Sequence, residues 1–269
     1  MVSCFVVIWL YLSIVAGPRV FAGVGFSMAR GWAQRMAGNL ALVGGAEFQP
    51  GCDEADRILV DAAGGAGARV AILPTAAAAE GAPRMAAANG VRHFSRLGAQ
   101  AFGVMIVDAA TANDATLVAQ LTSARLIYMA GGDPGYLVRS LKGSLAWRVM
   151  LDAWSDGAVL AGSSAGAMVL CEAMWNPGTR RVESALALIK RAAVIPHHRP
   201  ASGWAEQLRR ELDKTFSILG IAEQTSLIWN GMTWRVAGPG DMTVYAHGQI
   251  AVHPPGDVFA LDGVSPDVG

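Results

Sequence analysis

Short apolar runs alternate with longer amphipathic stretches through the middle of the chain. The runs are Asn39–Val43, Arg69–Leu73, Ala101–Val107, Arg125–Met129 and the segment opening at Ala158. Most of them end in turn-forming residues: Gly44-Gly45, Pro74-Thr75, Gly131-Gly132-Asp133-Pro134 and Gly162. Between them, Glu54–Ala63, Gly81–Leu97, Asp114–Thr122 and Tyr136–Ala153 carry apolar residues at helical spacing. Gly90 is a weak point in the second of these helices, and Gly143 kinks or breaks the last. A strand that is apolar without alternation is buried on both faces. The pattern therefore predicts an α/β fold in three layers, a mainly parallel sheet with helices on both faces. Ligands of such sheets bind beyond the carboxyl ends of the strands, so the Gly-Gly turns and the segment after Ala161 converge on one edge.

The last third reads differently. Arg191–Ile195 is a strand ending in Pro196-His197-His198, and Gln207–Leu219 is read as a helix. Ser226–Asn230, Thr233–Val236 and Met242–His247 are short β segments with tight turns, a small antiparallel β extension near the C-terminus. From Pro254 the chain is a Pro/Gly/Asp tail.

Ahead of this pattern, Cys4–Ala16 is strongly apolar. It is shorter than the ~20 residues of a spanning helix, so no stable membrane span is expected. It has the length of a signal-peptide core but no Lys or Arg before it. An overlong start, with the domain beginning at Met28 or Met36, is the favoured reading. Residues 1–35 are then an apolar extension outside the core, and 36–269 a single domain. A cytoplasmic protein is expected, or a secreted one if residues 1–22 are a genuine signal.

Hydrophobic residues are 53% and charged residues 16% of the chain, enough for a large core. Lys plus Arg equals Asp plus Glu at 21 each, which argues against a nucleic-acid-binding face. Cys4, Cys52 and Cys171 show neither metal-ligand spacing nor an even disulfide framework, so no metal and no cofactor is expected. Gly23-Val-Gly25-Phe-Ser-Met28 lacks the third glycine and preceding strand of a dinucleotide site.

The most informative stretch is Ala158-Val-Leu-Ala-Gly-Ser-Ser-Ala-Gly-Ala-Met-Val-Leu170. It is a G-x-S-x-G turn between a strand and a helix expected over Ala167–Met174. Such a turn places Ser164 at its tip as a candidate nucleophile beside the free N–H groups of a helix start. A serine nucleophile needs a base. Of five histidines, His93 falls on a helix, where a surface position is expected, and His247 and His253 in the late β region. His197 and His198 end a strand on the same edge as Ser164. Adjacent strand residues face opposite ways, so only one of the two reaches it. For the orienting acid the candidates are Glu172 and Glu183. Glu172 points down the helix, about two turns from the tip. Glu183 can return to the edge, although a salt bridge with Arg180 or Arg181 competes for it. An oxyanion hole would use the N–H of Ala165 and the Gly132-Asp133 turn.

Four pieces in order, Leu42-Val-Gly-Gly-Ala-Glu47, Ile72-Leu-Pro-Thr-Ala76, Gly131-Gly-Asp-Pro134 and Gly162-Ser-Ser-Ala-Gly-Ala167, make the chain resemble the cyanophycinase/aspartyl dipeptidase (dipeptidase E) family of serine peptidases. The resemblance covers about Asn39 to Leu212. It implies a class I glutamine amidotransferase-like, flavodoxin-like fold. It also implies hydrolysis of peptide or isopeptide bonds in small aspartate-containing peptides by a Ser-His-acid triad. Ser164 matches the family nucleophile and His198 the family histidine, with Glu183 as the acid by position. Cyanophycinases carry Asp-Gln before that histidine and arginines after it. Here the stretch is Ile195-Pro-His-His-Arg-Pro200, which leaves His197, Arg199 and Arg209 as the substrate-binding candidates. The expected partner is a small peptide or isopeptide substrate, and any self-association a homodimer. The alternative is a non-catalytic small-molecule or peptide-binding protein on the same fold. An amidotransferase-type ammonia donor would need a thiolate where Ser164 stands. An ordinary α/β-hydrolase would not explain Gly131-Gly-Asp or the short spacing to His198.

Overall fold

The computed structural model describes residues 37–200 and 203–267. The extension expected over residues 1–35 lies outside the described residues. In chain order the elements are β1 (Leu40–Val43), α1 (Asp53–Ala62), β2 (Arg69–Leu73), α2 (Pro83–Arg96), β3 (Gln100–Gly103), α3 (Ala115–Ala119), β4 (Leu126–Met129), α4 (Pro134–Leu141), α5 (Leu145–Ser155), β5 (Val159–Ser163) and α6 (Ala165–Leu170). There follow β6 (Ala173–Asn176), β7 (Arg181–Ser184), β8 (Ala192–Ile195), α7 (Trp204–Glu211), β9 (Ser217–Ile221), β10 (Ser226–Trp229), β11 (Trp234–Ala237), β12 (Met242–Ala246), β13 (Gln249–His253) and β14 (Val258–Phe259).

The large sheet has the order β14-β11-β10-β1-β5-β4-β2-β3. β1, β5, β4, β2 and β3 run parallel, and β10, β11 and β14 extend one side antiparallel. This is the expected three-layer architecture, and strand alternation shows how it is built. Leu40 and Leu42 of β1, with Ile127 and Met129 of β4, enter a core shared with α4, α5 and α6. Ala41, Val43, Leu126 and Tyr128 face the other way, onto Leu59 and Val60 of α1 and Phe94 of α2. Each fully buried Leu or Phe contributes roughly 1.5–3 kcal/mol, so both faces must be covered at once.

Turn chemistry punctuates the helices as the sequence indicates. The Asp114 carboxylate accepts from the N–H groups of Thr116 and Leu117 at the start of α3. The kink expected near Gly143 is a complete break. α4 ends at Leu141, and Ser144 caps α5 by accepting from Trp147 N–H at 3.1 Å.

Three readings change. The helix after the elbow stops at Leu170, and Ala173–Ser184 forms the β6–β7 hairpin instead. The segment read as one helix over Gln207–Leu219 divides. α7 ends at Glu211, and Ser217-Ile-Leu-Gly-Ile221 is a wholly buried strand. That strand completes a second sheet, β13-β12-β9-β8, in which β8 and β9 are parallel. Leu219 and Ile221 enter the core beside α6, and Ile218 packs outward with Ile195, Leu208 and Tyr245 under α7. Burial on both faces outweighs the helical propensity of the segment. His93, expected on a helix surface, is buried and pairs with Asp56 Oδ2 at 2.7 Å. Among the described residues no helix is long and apolar enough to cross a membrane, and no cluster of His, Cys, Asp or Glu is arranged to hold a metal.

Candidate active site

β5 leads straight into α6, and the junction is Ser164, with φ 49° and ψ −109°. A non-glycine residue held there is strained by about 1–3 kcal/mol, and the surroundings hold it in place. The Ser164 N–H donates to the Val43 carbonyl at 2.9 Å, and its carbonyl receives Met168 N–H at 3.0 Å. A Cβ on Gly162 would overlap the Gly166 backbone, so strand and helix can meet this closely only through glycine.

Glu47, from the loop after β1, ties the elbow to its neighbour. Its Oε2 accepts from Ser163 Oγ at 2.9 Å and its Oε1 from Gly131 N–H at 2.8 Å. The Gly131-Gly132 turn after β4 is thereby held against the tip, within 3.3 Å of Ser164 Cβ for any side chain placed on Gly131.

The tip meets His197. Ser164 Oγ lies 3.0 Å from His197 Nε2, and His197 Nδ1 lies 2.9 Å from Glu223 Oε1. His197 follows β8 and Glu223 follows β9, and these neighbouring parallel strands deliver both side chains to the same edge. His197 has φ 51°, a left-handed kink that breaks the alternation of the strand. Its N–H donates to the Gly44 carbonyl. Its ring occupies space that only glycine can leave at position 45, where φ is 110° and a Cβ would overlap the imidazole.

This geometry corrects the sequence assignments. His198 does not approach Ser164. It is buried, and its Nε2 is 3.1 Å from the Tyr245 hydroxyl. Burial holds its pKa below the usual histidine value. Pro196 and the kink at His197 shift the register so that the first histidine, not the second, faces the tip. Glu183 lies on the β6–β7 hairpin, accepting from Asn176 Nδ2 at 2.8 Å and Thr179 Oγ1 at 2.6 Å. Those bonds hold its carboxyl below the usual range. Glu172 accepts from Arg191 N–H at 2.7 Å. Asp133 cannot serve an oxyanion hole. Its N–H donates to the Ala76 carbonyl, and its side chain caps α4 through Tyr136 N–H. Among the described residues no acceptor takes the N–H of Gly132 or of Ala165. Arg199 lines the cavity at Ser164, whereas Arg209 lines a separate cavity near Tyr245 and pairs with Glu206.

Glu223 is hidden in the sequence because Gln207–Leu219 has the pattern of one helix, which conceals β9. An acidic residue just after an apolar run is the signal that a correct strand assignment would have exposed. Cys171, close behind the elbow helix, is fully buried, and burial pushes its thiol pKa up, away from nucleophile chemistry.

Ser164, His197 and Gly132 sit between two cavities. One, of about 410 Å³, is lined mainly by apolar groups, including Met168, Trp175, Ile195, Trp204 and Leu208, with Arg199 as its cation. The other, of about 440 Å³, is lined by Glu47, Glu80, Asn89 and Phe48 among others.

A family model, peptidase family S51, matches residues 40–237. A crystal structure of a peptidase from an acI-B1 Actinobacterium is similar at 28% identity with a TM-score of 0.75, covering 85% of this chain and 98% of that one. A protein of Listeria monocytogenes EGD-e described as a candidate peptidase E aligns with a TM-score of 0.52 at 16% identity, over 81% of this chain and 98% of that one. At that identity the second likeness concerns the fold alone. No curated protein matches the chain.

Proposed function

The chain belongs to peptidase family S51 and is a serine-type peptidase, and on that premise we propose that Ser164 is its nucleophile, His197 its base and Glu223 the acid that orients the imidazole. The observation that carries this reading is the unbroken chain Ser164 Oγ–His197 Nε2–His197 Nδ1–Glu223 Oε1, with 3.0 and 2.9 Å links, at a strained elbow. With Nδ1–H donated to Glu223, the Nε2 lone pair faces the serine hydroxyl.

Attack by Oγ on a peptide carbonyl passes the hydroxyl proton to Nε2. The developing oxyanion sits where the N–H groups of Ala165 and Gly132 can donate, a contribution of about 3–4 kcal/mol per donor in comparable sites. Collapse of the tetrahedral adduct breaks the C–N bond as the imidazolium gives its proton to the leaving amine. Water, deprotonated by the same imidazole, then releases the acyl group from Ser164.

The substrate is a small peptide or isopeptide. The family resemblance implies the aspartate-containing class. A carboxylate of such a substrate needs a cation near the nucleophile, and Arg199 is the one Lys or Arg among the described residues lining either cavity. A pure binding role would give no reason to hold a strained serine against a histidine paired with a carboxylate.

The test is labelling by a fluorophosphonate probe. Wild type should be labelled, Ser164→Ala should not, and His197→Ala should label far more slowly. Equal labelling of wild type and Ser164→Ala would end the assignment.

A further inference from the structure

The two cavities beside Ser164 differ in chemistry. On one side Trp175 and Trp204 meet edge to face at 5.7 Å between ring centroids and 65° between planes. Met168, Ile195 and Leu208 complete the wall, and Arg199 stands at its rim. On the other side Glu47 and Glu80 contribute carboxylates, with no Lys or Arg among the described residues of the lining. Glu47 is occupied by the elbow and the Gly131 turn, and Glu80 is exposed.

A short peptide carries an ammonium at one end and a carboxylate at the other. If its scissile carbonyl sits at Ser164, its charged ends have only one electrostatically favourable orientation. The amino end lies on the Glu80 side, and the carboxylate end lies beside Arg199. The residue that leaves as the amine then places its side chain among Trp175, Trp204, Met168 and Leu208. We propose that this enzyme selects peptides whose leaving-side residue is bulky and apolar, aromatic above all, with the carboxylate of that residue held by Arg199. The proposal rests on the assignment of Ser164 as nucleophile.

An aromatic side chain fits this wall by edge-to-face contact with the two indoles and displaces water from apolar surface. A leaving-side arginine would bring a second cation to Arg199. A leaving-side aspartate would bury a carboxylate against indole and thioether.

The experiment measures binding of Ala-Phe, Ala-Leu, Ala-Arg, Ala-Asp and Ala-Gly to Ser164→Ala protein by calorimetry, so that no turnover is needed. Ala-Phe should bind at least about tenfold more tightly than Ala-Arg, Ala-Asp or Ala-Gly. Trp204→Ala, at a position already 45% exposed, should reduce that preference to about twofold or less. Arg199→Gln should weaken Ala-Phe and Ala-Leu alike and leave their ratio unchanged. Equal affinities, a preference for Ala-Arg or Ala-Asp, or no binding of any dipeptide would overturn the proposal. Fluorophosphonate labelling of the wild type reports separately on the nucleophile. Labelling that depends on Ser164, with no apolar preference in binding, removes this inference alone. Labelling that ignores Ser164 removes the catalytic assignment beneath it.

Discussion

Replacing His197 and His198 by alanine, one at a time, should give opposite signatures. The His197 side chain is 46% exposed, and so is its partner Glu223. A hydrogen-bonded pair that open contributes about 0–1 kcal/mol to stability, so His197→Ala should melt within a few degrees of wild type. Its turnover should nevertheless fall by about 10⁴-fold or more, because triad members act as a unit. His198 is the reverse case. It is 6% exposed, its ring rests on Gly220, and it bonds the Tyr245 hydroxyl at 3.1 Å. Truncation leaves a cavity and an orphaned phenol, about 2–4 kcal/mol together. For a domain of this size that is a fall of roughly 5–15 °C in melting temperature. Turnover by the folded fraction should change by less than about tenfold, since His198 touches neither Ser164 nor Glu223.

A pH scan adds an independent reading of the same pair. The folded-state pKa of His198 lies below its ordinary value of 6.5 because of burial. The stability it confers is present above about pH 6.5 and is lost as pH falls from there through the folded value. Melting temperature should therefore drop more steeply below pH 6.5 in wild type than in His198→Ala. The assays are calorimetric melting and peptide hydrolysis on both variants. An inactive His198→Ala with wild-type melting, beside an active His197→Ala, would refute the reasoning.

The acid should separate in the same way: Glu223→Gln should lower turnover by about 10²–10⁴-fold, whereas Glu183→Gln, on the β6–β7 hairpin, should leave turnover within about threefold, and steady-state kinetics of the two decides between them. Gly45→Ala should act through geometry, since its Cβ would overlap the His197 ring at a φ of 110°. A loss of about 10²-fold in kcat is expected, with little change in KM, and an unaltered kcat would show that the His197 position is not fixed by this contact.

The sequence by itself determined the layered architecture. Runs such as Leu40–Val43 and Leu126–Met129, apolar on both faces, can be stable only inside a covered parallel sheet. The Gly162-to-Gly166 turn determined the elbow too, because that spacing has one strand–turn–helix geometry, and the tip is Ser164 whatever lies around it. These are local facts, set by side-chain periodicity and by sterics within a few residues.

What only the tertiary structure decided was the partner of Ser164. Which of two adjacent histidines faces it depends on a left-handed kink at His197. That kink is stabilised by a hydrogen bond to Gly44 and by the space left at Gly45, both far away in the chain. Glu223 was hidden for a related reason. Ser217–Ile221 has no local signal strong enough to separate strand from helix, and it becomes a strand because β8 and β12 offer it hydrogen bonds and the core takes both its faces. A Ser164–His197–Glu223 chain assembled from three strand ends is a statement about distances between those ends, and those distances exist only once the sheets have formed.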